Sequence, residues 1–236
     1  TLMRSSAASD VYKRQIYKSG GEMFWDSGNT GSATLNKNVT TYDAAIKHSG
    51  NYSAKLQSQY VALLGIGAFA AGNIFVGKFL KIDGTDGILR FGRPFTSRPS
   101  KLVLYYRYVA GTVDYSTLGE LPKNSKDMGS IYIALGDWPH QTFDGETDIP
   151  VLVKTKPADR QLFDSNSSNV IGYGECILKE STEGEGLIKL EIPINYRSNR
   201  KPTDIILVGS ASRYGDYFTG STGSTLWLDD LELIYE

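Results

Sequence analysis

Short segments in which apolar and polar residues alternate, separated by turn-forming residues, make up most of the chain. Residues 52–57, 101–108 and 131–135 are clear examples. Alternation with a period of two is typical of β-strands. No segment keeps the apolar period of a helix over about twelve residues. The pattern predicts an all-β fold, namely a jelly-roll β-sandwich of about nine or ten antiparallel strands with few or no helices.

The most apolar segment, residues 61–80, contains three glycines before Asn73, namely Gly65, Gly67 and Gly72. Each glycine inside a helix costs about 1 kcal/mol relative to alanine. We therefore expect a loop followed by a strand here.

The C-terminal segment, residues 225–235, is typical of a long strand that is apolar on both faces. Strict alternation places Asp229 on the same face as Trp227 and Leu231. An ionised carboxylate on that face would point towards a core, which is unfavourable unless it is paired or bound to a metal. The preceding loop, residues 210–223, is rich in hydroxyl, aromatic, acidic and glycine residues.

Composition restricts the possible functions. The 236 residues are 40% hydrophobic, which allows a sizeable core, and the net charge of −1 gives no electrostatic reason for binding nucleic acid or an anionic membrane. No run of about 18 apolar residues predicts a membrane span. A single cysteine, Cys176, excludes an internal disulfide, and the two histidines, His48 and His140, lack the spacing of zinc ligands.

The first fifteen residues differ from the rest of the chain. They show no strand alternation, begin with Thr1 and contain no apolar core of a signal peptide. We interpret residues 1–15 as a disordered or foreign leader and residues 16–236 as a single domain.

Several motifs, taken together and in order, carry a family resemblance. They are WDSGN (residues 25–29), HSGNYSAKLQS (48–58), AAGNIFVGKF (70–79), FGRPFTSRPSKLVLYYRY (91–108), IGYGE (171–175), IPINYR (192–197) and SRYGDYFTGSTGSTLWLDDLEL (212–233). The chain resembles the family called putative carbohydrate metabolism domain, found in Bacteroides-type bacteria. The resemblance implies a jelly roll similar to galactose-binding-like carbohydrate modules. It also implies a secreted, periplasmic or outer-surface location, but it supplies no catalytic residues.

Carbohydrate modules of similar shape often end in a strand whose aspartate pair helps to hold a structural calcium ion. The resemblance therefore implies calcium ligands at Asp229 and Asp230, with Glu22 and Asp26 as further candidates. Calcium prefers a mixed set of carboxylate and carbonyl oxygens. In the alternative interpretation, Asp229 accepts hydrogen bonds from backbone amides or an arginine and no metal is bound.

Candidate glycan contacts combine aromatic rings, which pack on the apolar face of a pyranose, with groups that hydrogen-bond to hydroxyls. These candidates are Trp138, Tyr214, Asp216, Tyr217, Arg93 and Arg98. A guanidinium group can bind two sugar hydroxyls or the carboxylate of a uronic acid. The alternatives are that Tyr217 and Phe218 fold inward as the hydrophobic plug of the loop, and that an arginine pairs with a buried acid and fixes the loop.

These features favour a glycan-binding module of a secreted or surface protein, with no span across a membrane. One alternative is a glycoside hydrolase or lyase on the same sandwich. Such an enzyme needs a specific carboxylate pair, and the sequence cannot select one from 26 acidic residues. A second alternative is a structural or adhesion domain that binds a protein partner.

Overall fold

The computed structural model describes residues 24–32, 37–63 and 66–235, which are almost entirely β-structure, as predicted. One short helix, α1 (Asn29–Ser32), lies near the start of this region. The strands are β1 (Trp25–Asp26), β2 (Thr40–Asp43), β3 (Ser53–Gln57), β4 (Gln59–Leu63), β5 (Ile66–Ala70), β6 (Asn73–Asp83), β7 (Asp86–Phe91), β8 (Arg93–Pro94), β9 (Lys101–Val109), β10 (Gly129–Gly136), β11 (Gln141–Phe143), β12 (Glu146–Ile149), β13 (Val151–Lys154), β14 (Val170–Leu178), β15 (Ile188–Pro193), β16 (Asn195–Tyr196), β17 (Asp204–Ser210) and β18 (Thr225–Ile234).

Two large antiparallel sheets form the sandwich, which confirms the predicted fold class. The nine-stranded sheet has the order β13-β7-β6-β17-β10-β14-β16, with β1 paired to β6 and β8 paired to β17. The five-stranded sheet has the order β15-β9-β18-β3-β2. The hairpins β4–β5 and β11–β12 form two small additional sheets.

The main core lies between the two large sheets. Leu56, Leu104 and Leu226 of the five-stranded sheet and Ile131 and Ile133 of the nine-stranded sheet are completely buried in one cluster. Burying a side chain of this size contributes about 1.5–3 kcal/mol. These alternating apolar positions are therefore the main reason that the two sheets pack together.

A second cluster covers the opposite, outer face of the nine-stranded sheet. On β17, Leu207 belongs to the main core, whereas its neighbours Ile206 and Val208 belong to this outer cluster together with Phe75 and Phe91. Adjacent strand residues point to opposite faces, so the nine-stranded sheet carries apolar residues on both faces.

The segment predicted as a loop before β6 contains a hairpin instead. Strands β4 and β5 pair in register, with Val61 opposite Ala68 and Gln59 opposite Ala70. Gly67 lies so close to Val61 that an added Cβ would be 2.3 Å from its carbonyl oxygen. Glycine here permits the two strands to pair closely. In the sequence, the glycines argue only against a helix, and the chain forms a hairpin where they predict a loop.

Strict alternation along β18 is also wrong. Leu226 and Leu228 face the main core. A bulge between Asp229 and Glu232 shifts the register. Leu231, which lies within this bulge, packs against the same core. Asp230 adopts the left-handed region with φ 46°, which aspartate tolerates better than most residues. Asp229 therefore lies on the outer face of the five-stranded sheet, not in the core between the sheets.

Some predictions fall on the remaining parts of the chain. Residues 1–15 and Glu22 lie outside the described residues, so the leader boundary stays a prediction. Among the described residues, no helix has the length and apolar character needed to cross a membrane.

Candidate functional site

A cavity of about 490 Å3 lies over the outer face of the nine-stranded sheet. Its walls come from α1, the β4–β5 hairpin, the β6–β7 hairpin and the segment that follows β17. Its volume falls within the range of about 300–1,000 Å3 typical of small-molecule sites. The lining includes aromatic residues, small polar residues and three charged residues: Phe69, Phe75, Phe79, Tyr132, Phe218, Asn73, Ser130, Ser210, Asp86, Arg213 and Asp216.

The floor of the cavity is set by strand register. Phe75 of β6 lies opposite Val208 of β17, and Val208 lies opposite Tyr132 of β10. Tyr132 in turn lies opposite Glu175 of β14. Because directly paired residues share one face of a sheet, these four side chains form one row across the outer face.

Asp216 contributes a carboxylate to the cavity wall. It lies in a 3-10 turn, Gly215–Tyr217, and its side chain is exposed on the cavity. No described residue donates a hydrogen bond to it. Although the carboxyl group opens into the cavity, the cavity walls surround it with protein, which desolvates it and raises its pKa to about 6, while the guanidinium of Arg160 opposes the shift.

Tyr132 places a phenol near this carboxylate. Burial raises the pKa of Tyr132 well above its usual value, and the negative charge of Asp216 adds to the shift. The phenol therefore remains a neutral hydroxyl that can donate a hydrogen bond. Its ring stacks on Phe163, with centroids 5.4 Å apart and an interplanar angle of 6°.

Arg213 also lines the cavity, and its charge is already paired. Its guanidinium forms an ion pair with Glu175, the β14 residue next to Tyr132. The backbone amide of Arg213 donates to the Met128 carbonyl over 2.7 Å, which ties this segment to the start of β10. Both charged side chains of the pair are largely buried, so the ion pair is screened little by solvent.

Asp127 anchors the loop that carries Asp216. It is completely buried, and its Oδ2 accepts hydrogen bonds from Ser212 Oγ (2.6 Å), Ser224 Oγ (2.8 Å) and the Ser221 amide (2.8 Å). Burial raises the pKa of Asp127, and these hydrogen bonds oppose the shift. The bonds reach both ends of the loop, so one carboxylate fixes the loop between β17 and β18.

Two backbone features fix the turn itself. A Cβ on Gly215 would lie 2.3 Å from the Ala71 Cβ, so only glycine fits there. Phe218 ends the turn in the left-handed conformation, with φ 53° and ψ 35°, and lines the cavity. Such a conformation in a non-glycine residue costs about 1–3 kcal/mol and is often found at functional sites.

Residues 5–234 match the sequence model of the family described as "Putative carbohydrate metabolism domain". The chain belongs to this family. The matched range begins within the segment that we interpret as a leader. No curated protein is significantly similar to the chain in sequence.

Two solved structures from Bacteroides share the fold. A protein from Bacteroides thetaiotaomicron, described as a putative glycoside hydrolase, is similar over 100% of this chain and 71% of its own, with a TM-score of 0.71 and 21% identity. A protein from Bacteroides vulgatus, also described as a putative glycoside hydrolase, is similar over 93% of this chain and 89% of its own, with a TM-score of 0.66 and 26% identity.

The predicted glycan contacts in the loop before β18 divide into two groups. Asp216 lines the cavity, whereas Tyr214 and Tyr217, from the same turn, do not. Both tyrosines are half-buried, and the Arg160 guanidinium lies 4.7 Å from the centre of the Tyr217 ring. Arg160 therefore covers part of the Tyr217 ring.

The prediction that Trp138 forms a surface platform needs correction. Trp138 is only 7% exposed and belongs to the outer apolar cluster. Its ring lies against Gly136 and meets Phe163 edge-on at 6.2 Å. Burial of this large ring stabilises the fold, and it leaves no face for a sugar.

Neither predicted arginine lines the cavity, and both have structural contacts. Arg93 is buried, and its charge helps to lower the pKa of Asp26 against the larger desolvation effect. Arg98 donates to the carbonyl of Ser198 over 2.9 Å and lies 4.0 Å from the centre of the Tyr196 ring. These contacts agree with the alternative interpretation, in which the arginines fix the chain around them instead of contacting a glycan.

The predicted calcium ligands are engaged in hydrogen bonds. Asp229 Oδ2 accepts from the backbone amides of His48 (2.8 Å) and Ser49 (3.2 Å). Asp230 contacts His48 Nδ1 at 2.7 Å, and Asp26 accepts from the Phe79 amide at 2.7 Å. The two amide hydrogen bonds to Asp229 are those that the alternative interpretation of this residue describes.

Metal binding itself stays a prediction. Among the described residues, no group of three or more histidine, cysteine, aspartate or glutamate side chains is placed to hold a metal ion. Two of the predicted ligands lie in different sheets: Asp26 is in β1, which pairs with the nine-stranded sheet, and Asp229 is in β18 of the five-stranded sheet.

Sequence reasoning missed three residues that build the site. Tyr132 alternates with Ile131 and Ile133, and this alternation could have assigned it to the outer face. Arg213 lies within the family motif beside the predicted contacts. Asp127 is one acid in a long polar loop, and no local signal marks its burial.

Proposed function

We propose that this protein is a glycan-binding module of a secreted, periplasmic or outer-surface protein, and that the glycan binds in the cavity beside Asp216. The observation that carries the proposal is the Asp216 carboxylate, which opens into an aromatic-lined cavity and accepts no hydrogen bond from a described residue. Membership of a carbohydrate metabolism family supports the ligand class.

The cavity offers the two kinds of contact that a sugar needs. Phe79 and Phe218 supply apolar surface for the C–H face of a pyranose ring. Asp216 accepts hydrogen bonds from sugar hydroxyls, and the neutral Tyr132 hydroxyl donates one. A few polar groups in an apolar wall fix the orientation of a ligand.

The rigidity of the loop that carries Asp216 favours the binding of weak ligands such as glycans. Asp127 holds the loop through three hydrogen bonds, and Gly215 packs tightly on Ala71. A preorganised loop loses little conformational entropy when the ligand binds. Measurable affinity then requires only a modest number of contacts.

Calorimetric titration with oligosaccharides selected on a glycan array tests this function. The parent protein should bind at least one glycan, and Asp216→Ala should weaken that binding tenfold or more, about 1.4 kcal/mol. Glu183→Ala, which removes an exposed acid outside the cavity, is the matched control. Absence of binding to every glycan, or unchanged binding by Asp216→Ala, would contradict the proposal.

A glycoside hydrolase is the second candidate, because Asp86 lines the same cavity as Asp216. Desolvation raises the pKa of both carboxyl groups, as expected for a general acid. The Bacteroides vulgatus relative is itself described as a putative glycoside hydrolase. Release of reducing sugar that is lost in both Asp86→Asn and Asp216→Asn would favour the enzyme, whereas binding without release would favour the module.

A further inference from the structure

We propose that the cavity selects uncharged glycans and excludes glycans that carry uronic acid or sulfate groups. This inference rests on the proposed glycan-binding function and names the ligand class of the same site.

The charges on the cavity wall favour this selection. The charged residues among its described lining are Asp86, Asp216 and Arg213. Arg213 forms an ion pair with Glu175, so its positive charge is neutralised within the protein. The remaining charge on the wall is that of two carboxylates, and the cations that oppose the rise of their pKa by desolvation, Lys156 for Asp86 and Arg160 for Asp216, lie outside the lining.

Cations near these carboxylates are engaged elsewhere. Lys156 binds both carboxylate oxygens of Asp83, at 3.1 and 3.0 Å. Arg160 donates its Nε to the Thr155 carbonyl over 3.1 Å and lies over the Tyr217 ring. Neither cation lines the cavity, so an anionic ligand would find no free cationic partner on the described wall.

An acidic sugar would therefore meet like charge in a poorly screened environment. Charges in a partly apolar cavity are screened less than charges at an open surface. The repulsion disfavours binding unless one of the groups takes up a proton. The Asp216 carboxyl has a pKa of about 6, so it is mostly ionised at pH 7.5.

A neutral sugar, in contrast, supplies what Asp216 lacks. Its hydroxyls donate hydrogen bonds, and a carboxylate accepts them in preference to a neutral oxygen. Arg93 and Arg98, the residues that the sequence suggested for uronate recognition, make structural contacts outside the cavity. The geometry thus reverses the charge preference that those arginines would give.

The test compares three forms of each of three oligosaccharides by calorimetry at pH 7.5. Short β-1,4-glucan, β-1,3-glucan and β-1,4-galactan oligosaccharides are each used unmodified, oxidised at C6 to the uronate, and converted at C6 to the uronamide. The uronate should bind at least tenfold more weakly than the unmodified sugar. The uronamide, which has the same size but no charge, should bind within about threefold of the unmodified sugar, well inside one tenfold step.

Variants test whether the negative charge of the cavity wall causes the weaker binding of the uronate. Asp216→Asn should reduce the ratio between unmodified and uronate affinities at least threefold, and the control Glu183→Gln should leave the ratio unchanged. Equal or tighter binding of the uronate, or equally weak binding of uronamide and uronate, would overturn the charge selection while leaving glycan binding intact. Failure of every glycan to bind, on the array as well as in these three forms, would overturn the proposed function instead.

Discussion

Asp216 is an unfavourable residue for stability at the position where we propose that it contacts a glycan. Its folded-state pKa of about 6 lies above the ordinary value of 3.8, because the surrounding protein desolvates the carboxylate. Between these two values the folded state binds more protons than the unfolded state. The free energy of unfolding therefore falls as the pH rises through this window, and the destabilisation is complete above it.

Replacing this carboxylate should stabilise the protein at neutral pH. We expect Asp216→Asn to melt at a higher temperature than the parent at pH 7.5, with the difference disappearing near pH 4. Thermal melts of both proteins at the two pH values provide the measurement, with Glu183→Gln as the control for removing an acid. A lower melting temperature for Asp216→Asn at pH 7.5 would show that Asp216 is stabilised by contacts in the folded state.

Single residues also show what the sequence can and cannot predict. Acidic and aromatic residues in one glycine-rich loop predict that Asp216 is a glycan contact; the structure places Asp216 on the cavity wall, and its role in binding stays a prediction. Trp138 was assigned wrongly, since a tryptophan between Asp137 and Pro139 suggests an exposed loop, whereas its ring reaches back over Gly136. The burial of a large side chain depends on distant chain segments, which local sequence does not reveal.

The loop between β17 and β18 depends on one buried acceptor. Asp127→Ala would leave Ser212, Ser221 and Ser224 without their acceptor, and each buried unsatisfied donor costs about 1–3 kcal/mol. We expect a loss of about 3 kcal/mol or more in denaturant unfolding, together with loss of glycan binding. Asp127→Asn keeps one acceptor oxygen and should lose less. A loss below about 1 kcal/mol for Asp127→Ala would contradict this role.

Asp229 holds the turn after β2 against β18. Its carboxylate accepts two backbone amides, so Asp229→Ala should lower the free energy of unfolding by about 1–3 kcal/mol. Hydrogen bonding alone predicts the same loss in calcium and in chelator, as measured by parallel melts. A larger loss in calcium would instead reveal the calcium site that the family resemblance implies, because a ligand that binds only the folded state stabilises it.

Element boundaries were less predictable than element type. The strand character of β18 follows from its apolar residues, but its bulge at Asp229 and Asp230 reverses the assignment of faces. A one-residue shift moves every following side chain to the other face. Two adjacent aspartates, which are rare in strands, were the available signal for this irregularity.

At the scale of the whole molecule, alternation was sufficient to predict the sandwich but not the face that carries the site. Ile206 and Val208 make β17 apolar on its outer face, while Leu207 faces the main core. When a strand is apolar on both faces, the sequence does not show which face packs in the main core and which face forms the floor of the cavity. The position of the cavity follows from the β4–β5 and β6–β7 hairpins, which the sequence did not place.

The domain boundary gives a prediction at the same scale. Residues 1–15 lack the strand pattern, so deleting them should change the melting temperature by less than about 2 °C, roughly 1 kcal/mol for a domain of this size. Differential scanning calorimetry of the full and shortened chains measures the change. A decrease of about ten degrees would show that these residues belong to the folded domain, as the family match from residue 5 allows.

The outer face of the five-stranded sheet lies away from the cavity, so its residues serve as a reference surface when the location of glycan binding is mapped. There, Trp227 lies between Lys55 and Arg107, whose charged groups are 5.6 and 5.3 Å from its ring centre. Its indole N–H donates to Asp43 over 3.0 Å. This aromatic residue is therefore covered, and neither it nor the two cations beside it line the cavity over the nine-stranded sheet.

Chemical-shift mapping with the oligosaccharide that binds best tests the location of the site most directly. Titration of the 15N-labelled protein should shift the amide signals of Phe79, Tyr132 and Asp216 with one common dissociation constant. The signals of Lys55 and Trp227, on the other sheet, should stay unchanged. Saturable shifts centred on Lys55 and Trp227, with none around Asp216, would contradict glycan binding in the cavity.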